Sequence, residues 1–137
     1  MNTDIWATLH LPSPGTESHN SICRKMPYAS FDRLADTLFM DGEALGRCLG
    51  ISPKTLLNGV KTGHFSSRES ERLYALIAVL QASCQLFEGD VQTASRFLIS
   101  PLRGLNSKTP LEILRKGGGE ARAVIDLIGR LENGILL

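Results

Sequence analysis

Residues 40–63 read MDGEALGRCLGISPKTLLNGVKTG, and the punctuation is that of two short helices joined by a tight corner. Asp41 is a residue type that caps helix N-termini, and Ala44, Leu45, Cys48 and Leu49 follow along one side at helical spacing. Gly50 stops that helix, since a turn of this kind needs a positive φ that glycine takes without strain. Ile51 plugs the angle between the helices. Ser52 then caps the second helix and Pro53 fills its first position, where the missing N–H costs nothing. This second helix ends near Gly63. Ala44, small and mid-helix, is where the two helices are expected to cross. The layout predicts a helix-turn-helix.

The second helix divides by angle. At about 100° per residue, Lys54, Asn58 and Lys61 share an arc of roughly 60°, with Thr55 at its edge; Leu56, Leu57 and Val60 take the other side. The apolar set is expected in the core and the polar set against a duplex. Lys54 and Lys61 suit phosphates, while Thr55 and Asn58 carry the donors and acceptors that read base edges. Arg47 and Ser52 complete the expected DNA-binding set. From Ala44 through Arg68 there is no acid, but there are Arg47, Lys54, Lys61, His64 and Arg68. In a chain of net charge +1 this makes a local basic surface. An ordinary helical corner with a solvated lysine face has the same spacing. The acid-free stretch favours nucleic acid.

The flanks continue the helical pattern. Ser30 is expected to cap a helix that turns Phe31, Leu34, Ala35 and Leu38 inward. Ser66 and Glu69 have capping-box spacing at the start of a long helix. Its apolar positions 73, 76, 77, 80, 84 and 87 keep one face until Gly89. Asp90 opens a short helix with Val91, Ala94, Phe97 and Leu98, closed by Ser100 and Pro101. Thr109, Pro110, Leu111 and Glu112 form a second capping box. After Gly117, Gly118 and Gly119, a last helix turns Ala121, Val124, Ile125, Ile128 and Leu131 inward. Nothing reads as a strand. The fold class is all-α: about seven helices, a helix-turn-helix part and a small helical part joined by a long central helix.

The totals fit one compact unit, or two very small ones sharing a core. The chain has 137 residues, of which 42% are hydrophobic and 6% aromatic, enough for an aliphatic core. Residues 1–28 are rich in Ser, Pro, Thr and Asn without a sustained period and are expected to form a mobile arm. They lack the basic and apolar regions of a secretory signal, and the longest apolar run, residues 73–80, is too short to span a bilayer. Three cysteines, Cys23, Cys48 and Cys84, stand without short spacing and read as reduced thiols. A cytoplasmic protein is expected.

Catalytic chemistry is not indicated. His10, His19 and His64 are scattered, with no Cys or carboxylate at metal-ligand spacing. The glycine run at 117–119 follows no strand and has no phosphate-loop lysine, so it reads as a helix connection. Cys48 and Cys84 lie on inward faces as small core residues. No enzyme activity, cofactor or metal is expected.

The order of motifs resembles the antitoxins of the Xre/MbcA/ParS type, which pair with RES-domain toxins. The likeness covers residues 40–137. Beyond the helix-turn-helix it is carried by Ser66, Glu69, Ser70, Arg72 and Leu73 at the start of the long helix. It continues at Ala94, Leu98, Pro101, Leu105, Thr109, Pro110 and Leu111, and ends with Gly119, Val124, Ile128, Arg130 and Gly134. Departures are Phe97 where tryptophan is usual, Asn106 and Ser107 for a glycine-rich pair, and Arg115 and Lys116 for a threonine-containing turn.

That resemblance implies a helix-turn-helix domain over 29–88 and a toxin-binding domain over 89–137. It implies two partners, operator DNA of the chain's own promoter and a RES-domain toxin that consumes NAD, with homodimers and hetero-oligomers. It also gives the C-terminus a purpose. Gly134 would end the last helix, and Ile135, Leu136 and Leu137 would enter the toxin's active site, with Arg130 beside them. A stand-alone helix-turn-helix regulator, whose C-terminal part only dimerises, is the alternative.

Overall fold

The structure, a computed structural model, describes residues 5–9, 25–102, 105, 107–115 and 121–132, with residues 121, 122, 131 and 132 as backbone only. Among the described residues there are eight helices: α1 (Ile5–Thr8), α2 (Tyr28–Thr37), α3 (Gly42–Leu49), α4 (Pro53–Thr62), α5 (Ser67–Leu86), α6 (Val91–Leu98), α7 (Pro110–Arg115) and α8 (Ala121–Glu132). Among the described residues there is no strand, only two isolated bridges, Pro27 with His64 and Leu102 with Lys108. The fold is all-α, as the periodicity predicts.

α5 is the spine. Leu73, Leu76, Ile77, Leu80 and Cys84 are buried as expected, and Ser70, Tyr74, Val79 and Ser83 are buried as well. So wide a buried surface marks a helix covered from several sides, and α1, α6, α7 and α8 all pack on it. One core runs from Ile5 and Trp6 through Leu45, Leu49 and Leu73 to Val124 and Ile128. α3 of the helix-turn-helix also packs on α7.

The N-terminal residues correct the sequence reading. Ile5 and Leu9 are fully buried and Trp6 is 5% exposed. The Trp6 ring stacks on Tyr74 at 5.9 Å, and the Ile5 N–H donates to Gln81 Oε1 at 2.6 Å. Ser30 Oγ donates to the Leu9 carbonyl at 3.0 Å. Residues 5–9 are therefore part of the core, not of a mobile arm. A one-turn helix has no stability of its own; α1 is held by apolar contact with α5.

Residues 26–28 are also fixed. Phe65 N–H donates to the Met26 carbonyl and Tyr28 N–H to the Gly63 carbonyl, both at 2.9 Å. The Met26 N–H donates to Ser70 Oγ at 2.7 Å. In consequence α2 starts earlier than predicted, with Pro27 as its N-cap, and Ser30 is buried inside the helix.

Capping elsewhere is mixed. Thr93 N–H and Thr93 Oγ1 both donate to the Asp90 carboxylate, and the Glu112 N–H donates to Thr109 Oγ1 at 3.1 Å. Those two caps match the sequence. Ser66 is the N-cap of α5 but its side chain makes no cap bond, so the predicted capping box there is not closed.

Candidate functional site

The corner between α3 and α4 is built by local chemistry. Asp41 Oδ1 accepts from the Ala44 N–H at 2.6 Å and starts α3. Gly50 ends it at φ 74°, and the Ile51 N–H returns to the Gly46 carbonyl at 2.7 Å. Ile51 is buried in the corner. Ser52 Oγ accepts from the Thr55 N–H at 3.2 Å, and Pro53 opens α4. Gly63 closes it at φ 87°.

The close crossing lies at Gly46, not at Ala44. A Cβ on Gly46 would stand 3.0 Å from Leu56 Cδ1 and 3.3 Å from the Ile51 carbonyl oxygen. Gly59 has a similar reason on the α4 side: a Cβ there would meet Phe65 and Tyr28 ring carbons at 3.2 Å. Tyr28, Phe31 and Phe65 form an aromatic group, with centroids 5.0 to 5.7 Å apart, and α4 lies on it through Gly59.

This seating rotates α4 away from the predicted orientation. Leu56 and Gly59 are its buried residues. Leu57 and Val60, predicted inward, are 61% and 56% exposed. The backbone approach that Gly59 allows draws the helix toward the aromatic group and turns the Leu57 and Val60 flank outward. They line a shallow groove with Tyr28, Glu43 and Pro53.

Lys54, Asn58 and Lys61 are all exposed on α4. Ser52 is exposed too, while Thr55 is half-buried and its Oγ1 lies 3.0 Å from Ser52 Oγ. Thr55 thus supports the cap before it can meet any ligand. A second groove runs along α4 past Asn58 and Thr62, lined also by His64 and by Lys25. Sequence reasoning placed Lys25 in the arm and missed it; the pairing of residues 26–28 with 63–65 brings it here. Glu69 lines the same groove, and its Oε2 is buried without a hydrogen-bond partner among the described residues. Arg47 is exposed on α3, apart from these, along a groove shared with Thr109 and Arg115 of the C-terminal part.

The motif at the start of α5 also has a visible purpose. Ser70 accepts from Met26, and Arg72 Nη1 donates to the Leu49 carbonyl at 3.1 Å, completing the end of α3. Together they fix the corner to the spine.

Residues 84–134 match the family model described as the Antitoxin Xre/MbcA/ParS C-terminal toxin-binding domain. Along 139 aligned residues, 99% of this chain and 93% of the relative, the chain is 31% identical to the protein "Antitoxin Xre" of Photorhabdus laumondii subsp. laumondii. The chain belongs to the Xre antitoxin family. A relative of the same name from Yersinia enterocolitica serotype O:8 is 32% identical over 133 residues, 96% of this chain and 89% of its own length. In this Xre-family chain the matched stretch begins at Cys84 in α5 and takes in α6, α7 and α8.

Of the residues assigned to toxin binding, Arg130 is exposed in the last turn of α8. Gly134, Ile135, Leu136 and Leu137 lie outside the described residues, as do Gly117, Gly118 and Gly119. Among the described residues, no group of three or more His, Cys, Asp or Glu is placed to hold a metal ion. No described helix is long and apolar enough to cross a membrane. Burial pushes the Cys84 thiol up to about 11, with the nearby Asp90 charge adding to it. It stays a neutral core group.

Proposed function

We propose that this chain is a two-sided cytoplasmic antitoxin: it holds a RES-domain, NAD-consuming toxin through its C-terminal part and represses its own operon through α3 and α4. The observation that carries the reading is the match of residues 84–134 to a toxin-binding domain, within a chain related along nearly its whole length to proteins named antitoxins. The exposed row Lys54, Asn58 and Lys61 on α4 supports the DNA-binding half. A duplex laid on it would meet two cations for its phosphates and an amide for a base edge. A homodimer would present two such helices to half-sites about one helical turn apart.

The toxin side rests on inhibition by insertion. Ile135, Leu136 and Leu137 would fill an apolar part of the toxin's cleft. Their terminal carboxylate would meet the cations that otherwise receive the pyrophosphate of NAD. Each buried aliphatic side chain would contribute about 1.5–3 kcal/mol before ordering costs.

The test is co-purification of the tagged full chain with the product of the adjacent reading frame, followed by gel shift of the operon's promoter fragment. Capture of the product and a promoter shift are expected. A promoter shift without any captured partner would instead support a stand-alone regulator, and no shift would remove the repressor half.

A further inference from the structure

The end of α2 carries an unusual residue. Leu38 is the C-cap, the Met40 N–H bonds the Ala35 carbonyl at 2.9 Å and the Phe39 N–H bonds the Asp36 carbonyl at 3.1 Å. That pair of bonds is a Schellman motif, whose left-handed position is usually glycine. Here it is Phe39 at φ 58°, 69% exposed. The chain thus places a bulky residue in a strained conformation and leaves most of its ring in water. The Schellman turn calls for a left-handed residue here, but not for an aromatic one.

Phe39 has company. Ile99, 57% exposed, shares with it an open groove of about 240 Å³, floored by Met40 and Leu111 and edged by Arg96. Past Ile99 and Leu111 the surface continues alongside Arg47 and Arg115, with Glu112 as the acid there. The result is an apolar furrow with cations along its rim. Phe39 comes from the helix-turn-helix half, whereas Ile99 and Leu111 lie within the matched residues 84–134.

We propose that this furrow is a second toxin contact, separate from the C-terminal tip, and that it takes a toxin segment pairing apolar side chains with carboxylates. It rests on the reading of the chain as a toxin-binding protein. Charge decides the occupant. Two copies meeting here across a two-fold axis would use the same patch on both sides, bringing three arginines from each copy together with one Glu112 from each to offset them. An acidic partner meets no such repulsion. Because the furrow joins both halves, toxin seated in it would fix the end of α2 and α3 as well as the C-terminal helices.

The test uses the full chain and the product of the adjacent reading frame, with affinity read by calorimetry. Phe39→Gly removes the ring and also relieves the left-handed strain, so its melting temperature should hold or rise. Ile99→Ser and Arg96→Glu probe the other wall and the rim. Each is expected to weaken toxin binding at least about tenfold, with promoter binding unchanged. Wild-type affinity in folded Phe39→Gly and Ile99→Ser would overturn the furrow while leaving the tip and the antitoxin reading intact. So would a toxin-free dimer in the unaltered chain that these variants dissociate, since the furrow would then be a self-contact. Failure of the unaltered chain to bind the product at all would overturn both readings together.

Discussion

Arg72 on the spine reaches the end of the first helix of the corner: its Nη1 donates to the Leu49 carbonyl at 3.1 Å. The last carbonyls of a helix lack partners inside it, and the guanidinium supplies one with a favourable charge at the negative end. Gly50 lies beside this contact and leaves room for it: a Cβ there would stand in ordinary contact, 3.4 Å from Arg72 Nη1 and the Arg115 side chain, and it is the φ of 74° that calls for glycine. Arg72→Ala should cost about 1.5–3 kcal/mol, the range for a hydrogen bond to a charged donor, measured by urea denaturation. A cost near zero would mean that water replaces the guanidinium without loss.

The crossing at Gly46 admits no branched side chain. Gly46→Val would press on Leu56 and on the Ile51 carbonyl, and overpacking of this kind costs about 1–3 kcal/mol. The strain falls on the α3–α4 corner, so promoter affinity should drop more than toxin affinity. Equal loss of both, measured on the same folded variant, would mean that the corner is not an independent determinant of DNA binding.

The sole tryptophan reports on the docked N-terminus. Trp6 is buried against Tyr74, so native emission should be blue-shifted and should move red on unfolding. Trp6→Ala should destabilise by about 3–5 kcal/mol, as for other large core truncations. Water-like emission from the native chain would contradict the packing of α1.

Cys84 gives a pH-dependent check. Its folded thiol is raised to about 11, above its unfolded value. The stability this contributes is complete below the unfolded value and is lost as pH rises toward about 11. At pH 8 the native thiol is both protonated and buried, so iodoacetamide should label it only after denaturation. Rapid native labelling of Cys84, mapped by mass spectrometry, would contradict both burial and protonation.

The row on α4 has its own ionic signature. Replacing Lys54, Asn58 and Lys61 together by alanine should weaken promoter binding and reduce the salt slope by about 2, one unit for each lysine on a phosphate. Toxin affinity should be unchanged. An unaltered slope would place the DNA elsewhere.

What the sequence discloses here is what is local. Asp41, Gly50, Ser52 with Pro53, Asp90 and Thr109 mark helix ends by chemistry confined to a few neighbours, and the structure places the ends there. The rotation of α4 is different. Periodicity grouped Leu57 and Val60 with Leu56, but the facing direction depends on Phe65 and Tyr28 meeting Gly59. The docking of α1 was equally hidden, because one turn of helix carries little periodic signal and its partners, Tyr74 and Gln81, lie far along the chain. Lys25 joined the groove along α4 for the same reason: a backbone pairing between residues 26–28 and 63–65 carries no side-chain pattern. The strained Phe39 leaves no mark in the sequence, since the left-handed position that a glycine announces at Gly50 is taken here by a phenylalanine.

The central claim concerns the last three residues, and cellular NAD measures it most directly. Cells expressing the toxin with the full chain should keep their NAD. Cells expressing it with a chain lacking Ile135, Leu136 and Leu137 should lose NAD and stop growing, although the shortened chain still folds and still binds the promoter. Undiminished NAD and normal growth with the shortened chain would contradict inhibition by the C-terminal tip.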